Sequence, residues 1–285
     1  MATIAVIGSG AVGSYYGALL ARGGHDVRFL MRRDLAAVRA DGLRVESPLG
    51  DFHLPRVTAF GTPAEIGVVD WVVCSLKATA LGEARALVDP CLGPQTRVLA
   101  LMNGLGVEGA FAEWMAPERV FGGMAFVCLN RGEPGVVHHI DYGRVSIGHV
   151  GDDSQELDRL RALLESGGIE VAVAPNLRYA RWEKLCWNIP FNGLSVAAGG
   201  IGTERILADD ELSRVAERAM REVVAAGNAD LESLGSAARL DADDVVARMF
   251  AQTRTMGDYR TSMMIDYIEG RPLEVEAILG NPVRR

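Results

Sequence analysis

The sequence predicts an α/β domain built on a doubly wound parallel sheet, followed by an all-α domain. Three observations predict it. Short apolar runs, partly β-branched, recur through the first half with helical stretches between them. A glycine-rich turn follows the first of these runs, and beyond Pro175 the strand-like runs give way to apolar residues spaced three or four apart.

The first-half runs are Thr3–Ile7, Val27–Met31, Asp70–Ser75, Val98–Met102 and Val120–Val127, each bounded by Gly, Pro or charge. Their continuous apolar character suits strands covered on both faces, as in a parallel sheet. Val12–Arg22 and Thr79–Val88 read as intervening helices. Val136–Ile140 and Val145–Val150 flank Asp141-Tyr142-Gly143, which predicts a hairpin closing the first domain. A helix over Ser154–Glu165 and a short strand at Glu170–Val173 follow. The boundary is expected at Ala174-Pro175-Asn176, dividing a dinucleotide-binding domain (1–174) from a helical substrate domain (175–285). The second domain is expected to hold helices near Tyr179–Ala198, Asp210–Leu234, Ala242–Thr255 and Thr261–Glu269.

Composition bounds the function. With 285 residues, 49% hydrophobic and 23% charged, the chain can bury real cores. At 6% aromatic, those cores are built mainly from aliphatic residues and Met. A net charge of −8 argues against nucleic acid or anionic membranes as partners, so an anionic ligand needs a local basic island. The opening residues lack a signal-peptide pattern, and no apolar run reaches the roughly 18–20 residues of a membrane span. The expectation is a cytoplasmic protein. Cys74, Cys91, Cys128 and Cys186 show no paired spacing and read as buried reduced thiols, with no metal site. Adjacent His138 and His139 should point to opposite faces of a strand.

Gly8-Ser9-Gly10-Ala11-Val12-Gly13 lies between the first strand and a helix, the context that gives this otherwise common motif meaning. Gly8 permits a tight turn, Gly10 lets a pyrophosphate approach the backbone, and Gly13 lets the helix pack on the strand. The helix N-terminus supplies free N–H groups to phosphate. This is a Rossmann-type dinucleotide site. An NAD site places Asp or Glu about 20 residues on, at the end of the second strand. Here that region reads Phe29-Leu30-Met31-Arg32-Arg33-Asp34, which favours the 2′-phosphate of NADPH, with Arg32 the first choice to read it and Arg33 the second. The alternative is two solvated arginines opening a helix capped by Asp34. Lys77 and Asn103-Gly104 fall at two neighbouring strand ends, where a nicotinamide and substrate would lie.

In the second domain, Lys184, Asn188 and Asn192 fall within an arc of about 80° on one helix face. They stand among Leu, Trp, Ile and Phe, with Pro190 expected to kink the helix. Ketone reduction needs a hydride at carbon and a proton at oxygen, and a positioned ammonium can supply the second. Lys184 suits that role, Glu274 is a candidate carboxylate partner, and Ser262 with the two amides suits the oxygens of a small acid. A polar stripe at an interface is the alternative.

The glycine loop, Lys77, Asn103-Gly104, Lys184-x-x-x-Asn188-x-x-x-Asn192, Ser262-Met263 and Gly270-Arg271-Pro272-Leu273-Glu274 occur in the order seen in ketopantoate reductases, which the chain resembles over nearly its whole length. The resemblance implies a Rossmann domain plus a helical domain, NADPH as cofactor, and reduction of 2-dehydropantoate to pantoate on the way to pantothenate and coenzyme A. It implies Lys184 as general acid, Glu274 as its partner, and Asn103, Asn188, Asn192 and Ser262 at the substrate. Tyr259 stands where many relatives carry Asn, Pro190 and Gly193 depart from the usual Asn-Pro, and the sequence ends soon after Glu274, where relatives continue into another helix. Another small anionic 2-keto acid, a 3-hydroxyacid dehydrogenase activity and a non-catalytic NADPH sensor are the competing expectations. A homodimer through the helical domain is permitted but not specified.

Overall fold

The computed structural model describes residues 1–285, which form two compact units: residues 1–102 with 107–174, and residues 103–106 with 175–285. Asn103–Gly106 thus group with the helical unit, a departure from the single boundary expected at Pro175.

The first unit runs β1 (Thr3–Ile7), α1 (Ala11–Arg22), β2 (Asp26–Leu30), α2 (Leu35–Asp41), β3 (Leu43–Glu46), β4 (Phe52–Leu54), β5 (Thr58–Phe60), β6 (Trp71–Cys74), α3 (Ala84–Val88), β7 (Arg97–Ala100), α4 (Val107–Ala112), β8 (Val120–Arg131), β9 (Val136–His149), α5 (Ser154–Ser166) and β10 (Val171–Val173). Strands β5-β2-β1-β6-β7-β8 lie in that order and are all parallel, the doubly wound arrangement expected. β9 continues the sheet antiparallel to β8, and β3 and β4 extend it beyond β9. β1 shows why such strands read as unbroken apolar runs. Ile4 and Val6 enter one core with α1 and α5, whereas Ala5 and Ile7 enter the opposite one with Val107 and Phe111 of α4. Each large aliphatic side chain buried this way contributes about 1.5–3 kcal/mol.

The expected hairpin at Asp141-Tyr142-Gly143 is absent. β9 runs straight through it, and the reversal lies between Arg131 and Val136. The turn-forming residues are used as bulges instead: the β8 partners skip Gly143 and then Ile140, with Tyr142 at φ 62° and Gly143 at φ 141°. The Thr79–Val88 segment forms a 3-10 turn over Ala78–Glu83 before α3. His138 and His139 do face apart. His138 meets Glu46 at 2.8 Å, while buried His139 takes hydrogen bonds from Ser47 and Tyr15 on Nδ1 and gives one from Nε2 to the Tyr142 carbonyl.

The second unit holds α6 (Leu177–Ala197), α7 (Thr203–Ala208), α8 (Asp210–Ser233), α9 (Ala242–Thr255), α10 (Ser262–Ile268), a π turn over Glu276–Gly280 and α11 (Asn281–Val283). Side-chain caps start the long helices: Asn176 accepts from Tyr179 N, Asp209 from Glu211 N and Leu212 N, Asp241 from Asp244 N. α6 and α8 form its spine, with Trp182 fully buried against Gly227, where an added Cβ would come within 2.9 Å of the indole. No helix in the protein is long and apolar enough to cross a membrane. All four cysteines are buried and none is in a disulfide; burial pushes the Cys74 and Cys186 thiols up to about 12 and Cys91 to about 11, so these three are not ready nucleophiles.

Asp230 of α8 locks this spine. Its carboxylate accepts from Trp182 Nε1 at 2.7 Å and from the Arg178 guanidinium, one bond being 3.0 Å. Burial alone would raise its pKa, but the hydrogen bonds from Arg178 and Trp182 and the Arg178 charge outweigh burial and hold it below the ordinary value. A depressed carboxyl pKa stabilises the fold above the unfolded pKa, and that contribution is lost as pH falls through the folded value. Asp230→Asn should therefore melt well below wild type at pH 7, and the gap should close below about pH 4. Melting curves that stay parallel down to pH 3 would refute this assignment.

Candidate active site and nucleotide loop

The turn after β1 is built as the glycines demand. Gly8 sits at φ 95°, and an added Cβ would lie 2.6 Å from Leu76 N and 2.7 Å from Ser75 C. Gly10 N donates to Gly8 O at 2.7 Å, closing the turn. A Cβ on Gly13 would meet Ser75 Oγ at 2.3 Å and Gly8 O at 2.5 Å, so α1 lies hard against the strand ends. Ser9 Oγ donates to Leu30 O at 2.8 Å, tying the loop to the end of β2.

Gly10 differs from its neighbours: no atom lies within 4 Å of where its Cβ would be. No side chain caps α1, and its first intrahelical bond is Ser14 N to Gly10 O, which leaves the amides of Ala11, Val12 and Gly13 ahead of the hydrogen-bond ladder. An open face, unused amides and a helix N-terminus suit a pyrophosphate. These residues fit a dinucleotide.

At the end of β2, Arg32 and Arg33 are exposed. Asp34 occupies the N-cap position of α2 without capping it through its side chain. Its carboxylate instead reaches Arg131 at 2.6 Å and approaches Arg33 at 3.7 Å. Lys77 is exposed just beyond β6, at the head of the 3-10 turn.

The remaining predicted residues lie in the helical unit. α6 passes through Pro190 as one helix of 21 residues and carries Lys184, Asn188 and Asn192 at successive four-residue steps. Lys184 is half-buried, with Nζ 5.7 Å from the centre of the Trp187 ring. Such a contact favours an ammonium. Trp187 is held by its Nε1, which donates to Thr253 Oγ1 at 2.9 Å.

Asn188 is buried, and its Nδ2 has no hydrogen-bond partner in the protein. Leaving such a donor unmet costs about 1–3 kcal/mol. Asn192 is buried too, but its oxygen is already used: it accepts from Met263 N at 3.0 Å and lies 3.5 Å from Ser262 Oγ. Asn192 thus fastens α6 to the start of α10 and brings Ser262 to the same helix face. Its remaining hydrogen-bonding capacity is the amide NH2.

Asn103 is half-buried at the start of a short loop pinned to the C-terminal segment. Leu105 N donates to Ala277 O at 2.9 Å, and Asn281 Nδ2 donates to Leu105 O at 2.8 Å. Gly104, at φ 97°, leaves no room for a side chain, since a Cβ would stand 2.5 Å from Ala277 Cβ. Glu274 opens that same C-terminal segment and is buried, its carbonyl accepting from Ile278 N. α6, α10, the Glu274–Asn281 segment and the Asn103 loop therefore belong to one packed body. Tyr259, the departure noted in the sequence, is partly buried with its ring 6.2 Å from that of Trp187.

Sequence reasoning missed Arg131 and the binding of residues 103–106 to the C-terminal segment. The one available signal for Arg131 was a basic residue directly before the turn-forming Gly132-Glu133-Pro134-Gly135.

Comparisons with known proteins give the family. The family model described as ketopantoate reductase PanE/ApbA matches residues 4–152, and that for its C-terminal domain matches residues 176–285. A 2-dehydropantoate 2-reductase of Nostoc sp. is 40% identical over 287 residues, covering 99% of this chain and 88% of that protein. The crystal structure of 2-dehydropantoate 2-reductase from Geobacter metallireducens is 43% identical with a TM-score of 0.94, covering 99% of this chain and 92% of that one. The Methylococcus capsulatus 2-dehydropantoate 2-reductase structure is 35% identical with a TM-score of 0.84, covering 99% and 89%. The chain is an oxidoreductase of the ketopantoate reductase family.

Proposed function

We propose that the protein reduces 2-dehydropantoate to pantoate with NADPH, in the cytoplasm, as a step toward pantothenate and coenzyme A. The observation that carries this reading is the α6 face, where half-buried Lys184 stands one turn from the buried and unpartnered amide of Asn188. That is a donor pair matched to the oxygens of a keto acid. NADPH supplies the hydride to the ketone carbon.

The protein's own residues do the rest. The amides of Ala11, Val12 and Gly13 and the open face at Gly10 hold the pyrophosphate, with Lys77 at the adjacent strand end. Arg32 pairs with the 2′-phosphate. The Lys184 ammonium stabilises charge growing on the ketone oxygen and then gives it a proton, becoming a neutral amine. Glu274 is the carboxylate that balances and orients Lys184. Asn188 completes its unmet hydrogen bond on a substrate oxygen after a rotation of its amide, while Asn192, Ser262 and Asn103 fix the rest of a small anionic 2-keto acid.

Turnover tests the reading directly. Ketopantoate should drive loss of NADPH absorbance far faster than pyruvate or 2-ketoisovalerate, and NADH should serve poorly. Cofactor binding without turnover on any keto acid would sink the enzyme reading in favour of a sensor. A second reading, reduction of a different 2-keto acid, draws on Tyr259 beside Trp187 in place of the family's usual Asn. Turnover selective for another keto acid would establish it. Arg32→Ala should raise the KM for NADPH about tenfold and leave that for NADH nearly unchanged; discrimination that survives intact would pass the role to Arg33.

A further inference from the structure

We infer that Arg131 is a cofactor-specificity residue: by taking up the Asp34 carboxylate, it keeps that charge away from the phosphate-reading end of β2. The inference rests on the NADPH reading above. It starts from the oddity of Asp34. An Asp at a helix N-cap ordinarily accepts from the first turn of its own helix, yet Asp34 makes no such bond. Its side chain is only 12% exposed, with Oδ2 2.6 Å from an Arg131 nitrogen. Oδ1 is buried without a hydrogen bond, its nearest cation being Arg33 Nε at 3.7 Å. The carboxylate is drawn off the helix and held between two guanidinium groups.

Arg131 reaches Asp34 from 97 positions away because of the long β8–β9 hairpin. The far end of that hairpin is seated on α2 and β3. Arg44 N donates to Gly135 O at 2.9 Å. Gly135 sits at φ 84°, where an added Cβ would lie 3.2 Å from Gly42 O and 3.6 Å from Val38 Cγ2. The hairpin turn is therefore fixed against the C-terminal half of α2 and the start of β3, and the ion pair from Arg131 to Asp34 joins two anchored elements.

The chemistry gives this pair a consequence. A carboxylate at this end of the second strand is the device by which NAD sites grip the ribose hydroxyls and repel a 2′-phosphate. Asp34 lies two residues beyond Arg32, close enough to act in that way if released. Paired with Arg131 it is neutralised, and Arg32 and Arg33 dominate the local field. Without Arg131 the Asp34 charge would offset one of those arginines and oppose the phosphate. Arg131 acts through Asp34, so its loss should be cured by removing the Asp34 charge.

A binding cycle with cofactor fragments isolates the effect. Calorimetric Kd values for 2′,5′-ADP and for 5′-AMP, which differ in the 2′-phosphate alone, give a discrimination ratio for each variant. Arg131→Met should reduce that ratio about tenfold, by weakening 2′,5′-ADP. Asp34→Asn should keep the ratio at or above wild type, the double variant should recover it, and Arg131→Lys should retain most of it. A ratio unchanged in Arg131→Met overturns the inference. So does a double variant as poor as Arg131→Met, which would mean that Arg131 touches the phosphate itself. Equal weakening of both fragments with a lowered Tm would reduce the pair to a structural clasp and also overturn it. Wild-type protein with no preference for 2′,5′-ADP would instead remove the NADPH reading beneath it.

Discussion

Lys184→Ala is expected to lower kcat with ketopantoate by about 10²–10⁴-fold, the range typical of a lost general acid. The physical reason is the mismatch between hydride arrival and the oxygen left behind. A ketone that gains a hydride becomes an alkoxide, a strong base that water would meet only with costly reorganisation. An ammonium already in place stabilises the charge as it forms and then neutralises it. In the proposed reaction Lys184 takes that role: it lies on α6, half-buried, with Nζ 5.7 Å from the centre of the Trp187 ring. Lys184→Arg separates charge from proton transfer. An arginine keeps the positive charge but does not readily release a proton, so this variant should retain substrate affinity better than alanine while remaining slow. The readout is kcat and KM for ketopantoate in both variants, with melting temperatures to show intact folding. An unchanged kcat in Lys184→Ala would end the assignment of Lys184 as proton donor.

Much of this site was legible in the sequence because its parts are local. Gly8–Gly13 declares itself through residues adjacent in the chain: Gly8 and Gly13 answer to contacts within the same strand–turn–helix unit or the next strand end, and Gly10 faces open space. Lys184, Asn188 and Asn192 are visible because a helix repeats its face every turn. What remained hidden depends on distant partners. The Asn103 loop is fastened by Asn281, whose amide meets a carbonyl 176 positions away. Asn192 looks from the sequence like a simple ligand amide, but its oxygen is committed to Met263, 71 positions on. The Asp141-Tyr142-Gly143 segment carries every local sign of a turn. It stays extended because pairing with the long β8 absorbs its awkward backbone angles as bulges. β4 and β5, three residues each, are too short to show a period and exist because neighbouring strands offer them an edge.

The glycine loop allows a sharper test, because the same substitution should do opposite things two residues apart. Gly8→Ala forces φ 95° on a residue with a side chain and drives its Cβ to 2.6 Å from Leu76 N. The obstructing atoms are backbone of the next strand end and cannot swing aside. Strain and overpacking together should cost about 2–4 kcal/mol, seen as a marked drop in Tm of the cofactor-free protein. Gly10→Ala meets neither obstacle. Its φ of −78° and ψ of −162° are open to alanine, and its Cβ would point into empty space. The folded protein should tolerate it within about 0.5 kcal/mol. If that space is where the pyrophosphate comes down onto the helix N-terminus, the added methyl keeps the phosphates from the amides of Ala11, Val12 and Gly13. Losing one or two charge-assisted hydrogen bonds should then weaken NADPH binding by about 10–100-fold. Gly8→Ala should thus be a stability lesion and Gly10→Ala a binding lesion, separable by melting the free protein and titrating NADPH by fluorescence. Normal NADPH affinity in a well-folded Gly10→Ala protein would mean that the dinucleotide does not cross this turn, and the nucleotide site would have to be sought elsewhere along the strand ends.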